Sequence, residues 1–136
     1  MKKVEVVAAV IVHQGEILCV QKAESKIPWL SLKFEFPGGK PEPGESQEEA
    51  LIREIREELC MEIIPRKHLI SVGHCYPETE VLLHAWFCTC SSRELELREH
   101  SKAVWMKREQ LHEPEWAAAD LPVVEFIQKA TSMPVF

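Results

Sequence analysis

Residues 38–61, GGKPEPGESQEEALIREIREELCM, carry the pattern on which the rest of the chain depends. Two prolines and a glycine break residues 40–45 into a loop. Ser46, followed three residues later by Glu49, forms a capping box and predicts a helix over 47–59. At about 100° per residue, Leu51, Ile52, Ile55 and Leu59 share one stripe that faces a core. Glu54, Glu57 and Glu58 stand at i, i+3 and i+4, so they gather on another face. Two readings of that face are open. Clustered carboxylates repel one another, and a hard divalent cation relieves the repulsion because it prefers oxygen ligands. A solvated acidic face, with Arg53 and Arg56 as partners, is the alternative. Glu58 lies beside Leu51 at the edge of the apolar arc, where a merely solvated charge is out of place. The diglycine Gly38-Gly39 lets the backbone approach a ligand closely, and Lys40 offers a phosphate a point charge.

Outward from this stretch, residues 4–12 (VEVVAAVIV) are rich in β-branched types and predict a strand. His13-Gln14-Gly15 forms a turn into a second strand at 16–22, paired as a hairpin. A loop with Pro28 covers 23–33, and Phe34-Glu35-Phe36 is a short extended piece. Beyond the helix, strands are predicted at 68–75, 81–90 and 104–106, with Pro77-Glu78-Thr79 as a turn, and a last helix at 121–130. The order of strands, helix, strands, helix predicts an α/β fold with a mixed sheet packed between helices.

A length of 136 residues, 46% hydrophobic and 28% charged, suits one globular domain spanning 1–136. The net charge of −6 argues against a nucleic-acid polymer as partner. An anionic substrate would then need positive charge from a bound divalent metal. No segment approaches the ~20 apolar residues of a membrane span, and Glu5 interrupts the first apolar run, so neither membrane nor secretion is expected. The five cysteines are odd in number and lack a C-x-x-C pair, which predicts free thiols in a reducing cytoplasm. Trp29, Trp86, Trp105 and Trp116 are expected in core or loop packing and not in a pocket, and are given no role.

The spacing of Gly39, Glu45, Arg53-Glu54-Ile55, Glu57-Glu58 and Met61 resembles the Nudix box, G-x5-E-x7-R-E-U-x-E-E-x-G-U, where U is a bulky aliphatic. The flanks EVVAAVIV, FEFPGGK, HAWF, Glu99 and VWM are similar to the MutT-like branch of that family. Cys60 departs from the pattern, standing where the box has its second glycine. That glycine ends the helix in a left-handed conformation, so a cysteine there costs about 1 kcal/mol or changes the cap.

The resemblance implies an α/β/α sandwich and hydrolysis of a nucleotide with Mg²⁺, or Mn²⁺ in its place. It implies metal binding by Glu54, Glu57, Glu58 and Glu99 and by the Gly38 carbonyl. It casts Arg53 as the partner that orients a box carboxylate, such as Glu45, through a fork-shaped ion pair. Glu54 and Glu99 are the candidate bases; Glu99 has an acidic loop with Glu94 and Glu96 as its rival reading. Lys22, Phe36 and Asp120 match positions of the base pocket. Phe36 either stacks on a base or is simply buried. Asp120 either reads a base edge or caps the last helix. An ionised aspartate only accepts hydrogen bonds, which leaves cytosine, guanine and oxidised guanine open. EVVAA, HAWF and ADLP look similar to relatives that release a monophosphate and pyrophosphate from CTP or from modified cytosine or guanine nucleotides. Tyr76-Pro77 keeps an ADP-ribose or sugar-nucleotide pyrophosphatase as an alternative, and a non-catalytic nucleotide-binding module as another. Monomer and homodimer are both compatible with the pattern.

Overall fold

Both faces of the first strand are apolar, and this sets the layers. In β1 (Lys2–His13), Val7, Ala9 and Ile11 on one side and Ala8, Val10 and Val12 on the other are all buried. Successive residues of a strand point to opposite faces, so this strand needs cover on both. Helix α1 (Gln47–Leu59) packs on the first set through Ala50, Leu51, Ile55 and Leu59. Helix α2 (Leu121–Lys129) packs on the second through Val123, Val124 and Ile127. The result is the expected α/β/α sandwich. This computed structural model describes residues 2–130; Met1 and residues 131–136, the ends of the expected 1–136 domain, lie outside the described residues.

The sheet also contains β2 (Glu16–Gln21), β3 (Phe34–Glu35), β4 (Gly38–Gly39), β5 (Ile63–Tyr76), β6 (Thr79–Cys90) and β7 (Lys102–Met106). Its order is β3-β2-β1-β6-β5, with β4 paired to β1 and β7 to β2. β1 and β6 run parallel from Lys2 opposite Thr79 to Val12 opposite Thr89, while the other pairs are antiparallel, so the sheet is mixed. The β1–β2 hairpin turns through Gln14 and Gly15, both at positive φ, as a tight two-residue hairpin requires.

β5 starts at Ile63, five residues before the predicted strand at 68–75, and runs through Pro65. Proline cannot donate to a ladder, but β5 is an edge strand, and register shifts at Pro65/Lys67 and His68/Ile70 absorb it.

α1 has the predicted bounds. Ser46 Oγ accepts from the Glu49 N–H at 3.1 Å, and Glu49 Oε1 accepts from the Ser46 N–H at 2.9 Å, completing the capping box. Leu51, Ile55 and Leu59 are fully buried, each contributing roughly 1.5–3 kcal/mol of transfer free energy. Ile52 is half-buried, at the margin of the stripe and not within it. Cys60 takes φ 55° and ψ 34°, and its N–H donates to the Arg56 carbonyl at 3.1 Å. The cysteine therefore adopts the conformation of the absent glycine, and the helix end is kept. All five cysteines are free. Among the described residues no helix is long and apolar enough to cross a membrane.

Candidate active site

Strand β4 lays the diglycine across β1 and under α1, with Gly38 opposite Ala8 and Gly39 opposite Val7. A Cβ on Gly38 would stand 1.9 Å from the Val7 carbonyl oxygen, so the backbone pairing excludes a side chain there. A Cβ on Gly39 would stand 2.4 Å from Glu54 Oε2. That position is bare because a helix carboxylate occupies the space.

Arg53 ties the preceding loop to the helix. Its Nε donates to Glu45 Oε2 at 2.7 Å and its Nη2 to Glu45 Oε1 at 2.9 Å, the two-pronged geometry that suits guanidinium and carboxylate. Nη2 also reaches the Lys40 carbonyl at 3.1 Å, and Nη1 reaches Glu54 Oε1 at 2.9 Å and Glu57 Oε2 at 3.2 Å. The hydrogen bonds from Arg53, joined by the Glu42 N–H, hold the Glu45 carboxyl down at about 2. Glu45 in turn pushes the Arg53 guanidinium further above its ordinary value.

The three helix glutamates do not share one environment. Glu54 is largely buried, and that burial raises its pKa; Glu57 and Glu99 add to the rise and Arg53 opposes it. Glu57 turns outward to Arg53 with 59% of its side chain exposed, on the rim of the cluster. Glu58 is buried and pushed up to about 9, first by desolvation and then by repulsion from Glu54, Glu35 and Glu99. Its carboxyl is in hydrogen-bonding contact with that of Glu99. Glu99 comes from the irregular segment between β6 and β7. That segment is pinned to the helix end by Glu96 N–H to the Leu59 carbonyl at 2.9 Å and Arg98 N–H to the Glu58 carbonyl at 3.2 Å.

These residues suit a divalent cation by their chemistry. Glu58 Oε2 is buried with no hydrogen-bond partner, which is costly for a carboxylate oxygen unless a cation meets it. Glu54 and Glu99 add hard oxygen donors beside it. Among the described residues no three His, Cys, Asp or Glu side chains enclose an ion as they stand; Arg53 contacts Glu54 and Glu57, and Glu58 contacts Glu99.

Glu58 and Glu99 border a cavity of about 450 Å³ that is also lined by Gly38, Gly39 and Lys40. A second cavity of about 550 Å³ is lined by Val4, Trp29, Tyr76, Val81 and Ala117. Lys22, Leu30, Glu35 and Asp120 line both. The two cavities are therefore halves of one cleft, acidic at one end and apolar at the other.

The predicted pocket residues fall along this cleft in different ways. Asp120 is buried immediately before α2, but its side chain does not cap that helix. Oδ1 accepts from the Phe36 N–H at 3.0 Å instead. Burial, then the nearby Glu35, pushes its carboxyl up to about 8. Burial thus favours the protonated form at neutral pH, which would add a donor to the acceptors that the ionised group offers. Phe36 is only 2% exposed and its ring centroid is 4.7 Å from that of Trp116, so the ring belongs to the core and does not present a stacking face. Lys22 Nζ is 3.0 Å from Glu35 Oε1, and that ion pair, outweighing burial, keeps its ammonium above the ordinary value.

Nothing in the sequence singled out Glu35 or His100, and Trp29, expected in packing, is 41% exposed and lines the apolar half. Glu35 Oε2 is 2.9 Å from His100 Nε2. Burial opposes its charge, but the His100 hydrogen bond and the Lys22 ammonium hold it below the usual range. A charge alternating with two phenylalanines in Phe34-Glu35-Phe36 resembles an outward-facing strand residue, which hid it. The adjacency of His100 to Glu99 was the one available signal for the histidine.

A cleft with one carboxylate-lined half and one apolar half suits a phosphate-bearing molecule with an organic group attached. The family model for the NUDIX domain matches residues 1–126. The chain is 40% identical over 126 residues to the CTP pyrophosphohydrolase of Escherichia coli (strain K12), covering 92% of this chain and 91% of that protein. It is 27% identical over 132 residues to the 8-oxo-dGTP diphosphatase of the same strain, covering 95% of this chain and 99% of that protein. The solution structure of the E. coli ORF135 protein matches with a TM-score of 0.80 and 36% identity, over 98% of this chain and 96% of that one. The chain belongs to the Nudix family and is a MutT-like Nudix hydrolase. Members of this family generally use divalent cations and act on small nucleotide-type substrates.

Proposed function

We propose that residues 1–136 form one domain that hydrolyses nucleoside triphosphates to a monophosphate and pyrophosphate. The favoured substrates in this reading are CTP or dCTP-type nucleotides, with oxidised guanine nucleotides next, and the cation is Mg²⁺, replaceable by Mn²⁺. One observation carries it: Glu58, with a buried, partnerless oxygen and with Glu54 and Glu99 beside it, lines a cleft whose far half is apolar. The name of the 40%-identical relative supports CTP, and the free thiols support a reducing, cytoplasmic setting.

Glu54, Glu57, Glu58 and Glu99, with the Gly38 carbonyl, would hold the cation. When bound, it neutralises phosphate oxygens and lowers the pKa of water. Lys40 meets a phosphate oxygen as a point charge. Glu54 or Glu99 takes the proton of the attacking water as its oxygen bonds to phosphorus and the opposite bridging P–O bond breaks. Arg53 is a positioning residue, holding Glu54 and the loop in register. Asp120 reads the base edge. Below about 8 its carboxyl is protonated, so it presents a donor beside an acceptor. That pair complements cytosine, whose pairing edge shows a ring-nitrogen acceptor beside an amino donor. Guanine shows two donors and asks for the ionised form.

The test is incubation of purified protein with Mg²⁺ and a panel of the standard triphosphates, 8-oxo-dGTP, 5-methyl-dCTP and ADP-ribose, separating pyrophosphate from phosphate. Monophosphate and pyrophosphate from a cytosine nucleotide are expected. Tyr76 and Pro77 line the apolar half, which keeps the sugar-nucleotide reading alive; cleavage of ADP-ribose with the triphosphates intact would establish it. Nucleotide binding without product would indicate a binding module.

A further inference from the structure

We propose that Trp29 is the stacking wall of the apolar half, so that the 23–33 loop selects flat heteroaromatic groups by their ring faces. This rests on the nucleotide reading above and adds to it the residue that grips the base from its face. The loop carries Ile27, Trp29 and Leu32, three of the seven exposed large hydrophobic residues among the described ones. Ile27 and Trp29 line the cavity, and exposed apolar side chains at a cavity mark a binding surface.

The loop is built, not slack. The Ile27 carbonyl accepts from the Leu30 and Ser31 N–H groups at 3.1 and 3.0 Å, and Ser31 Oγ accepts from the Ser25 N–H at 2.9 Å. Lys22 N–H donates to the Lys33 carbonyl at 2.8 Å, and Gln21 Nε2 to the Leu32 carbonyl at 3.0 Å, which closes the base of the loop. Leu32 sits at φ 59°, left-handed backbone that a branched side chain rarely adopts. A strained, internally bonded turn thus holds a 41%-exposed indole at the cavity wall.

The rest of that half is apolar except for Lys22, Glu35, Lys40, Asp120, the Tyr76 hydroxyl and the residues Lys2, Glu78 and Thr79. Lys22 and Glu35 neutralise each other as an ion pair. An uncharged ring with a polar edge is what such a space accepts: the indole takes the face and the buried carboxyl takes the edge.

Trp29→Leu tests the wall, with Trp29→Phe as the variant that keeps a ring. Stacking on one base is worth about 5- to 150-fold in affinity. Trp29→Leu is therefore expected to raise the KM for CTP about tenfold with kcat nearly unchanged, and Trp29→Phe to restore most of it. Ribose 5-triphosphate, which has no base, should show no such difference. Binding is read separately by quenching of tryptophan emission with α,β-methylene-CTP, which should be seen in the wild type and largely lost in Trp29→Leu. Equal effects on base-bearing and base-free substrates, or unchanged quenching in Trp29→Leu, would overturn the proposal. Quenching without turnover would support the wall while removing the hydrolase reading, and neither binding nor turnover would remove both.

Discussion

Gly39→Ala is a one-methyl test of how the acidic half is assembled. The added Cβ would lie 2.4 Å from Glu54 Cδ and Oε2 and 2.7 Å from Oε1. Comfortable contacts begin near ~3.5 Å, so the carboxylate must retreat by about 1 Å. It is not free to do so, because Oε1 accepts from Arg53 at 2.9 Å and Arg53 is itself anchored to Glu45 and the Lys40 carbonyl. A displacement of about 1 Å at a reacting group costs on the order of 100-fold in rate, or about 2.7 kcal/mol of activation free energy. Gly39 has no positive φ, so alanine strains no backbone there. Gly44→Ala is the control: its φ is +80° with open space around it, so it should lose about 1 kcal/mol of stability and keep its rate. The assay is pyrophosphate release at saturating Mg²⁺, with circular dichroism to establish folding. A folded Gly39→Ala protein whose kcat stays within about threefold of wild type would show that Glu54 is not displaced, since a shift of about 1 Å costs on the order of 100-fold.

Glu57→Gln should nearly abolish turnover and leave the melting temperature unchanged, because the side chain is mostly exposed; near-wild-type activity at matched Mg²⁺ would remove Glu57 from the cation site. Cys60→Gly should gain about 1 kcal/mol by relieving the left-handed cap, seen as a rise of about 3 °C in Tm; no rise would mean that the cysteine makes compensating contacts. Asp120 titrates near 3.8 unfolded and about 8 folded. The folded state therefore binds the extra proton across that window, and stability should fall as pH climbs through it. Asp120→Asn should flatten this dependence in urea titrations at pH 5 and pH 8, and an unchanged slope would show that the carboxyl is not held protonated.

What was legible along the chain was what depends on near neighbours. The bounds of α1 follow from its capping box and apolar stripe, and the ordering of Glu54, Glu57 and Glu58 on one side follows from helical spacing. The diglycine-to-glutamate spacing pointed to the cluster because Gly39 and Glu54 compete for one volume. The start of β5 was missed because Pro65 argues against a strand locally, whereas an edge position and two register shifts tolerate it. Its position before Leu121-Pro122 leaves Asp120 open as an N-cap or a base reader, and only the fold shows that its oxygen goes to Phe36, 84 positions away.

The sequence by itself determined the family pattern, the mixed sheet between helices and the supply of carboxylates, since these rest on residue type, periodicity and short-range spacing. Only the tertiary structure decided how those carboxylates differ. Packing against β4 and the 91–101 segment buries Glu58 beside Glu99, while Arg53 draws Glu57 to the rim. Packing likewise commits the Phe36 ring to Trp116, protonates Asp120 and sets Trp29 on the wall of the apolar half. The physical reason is that desolvation and charge repulsion depend on which distant segments meet at a point, and no local spacing records that.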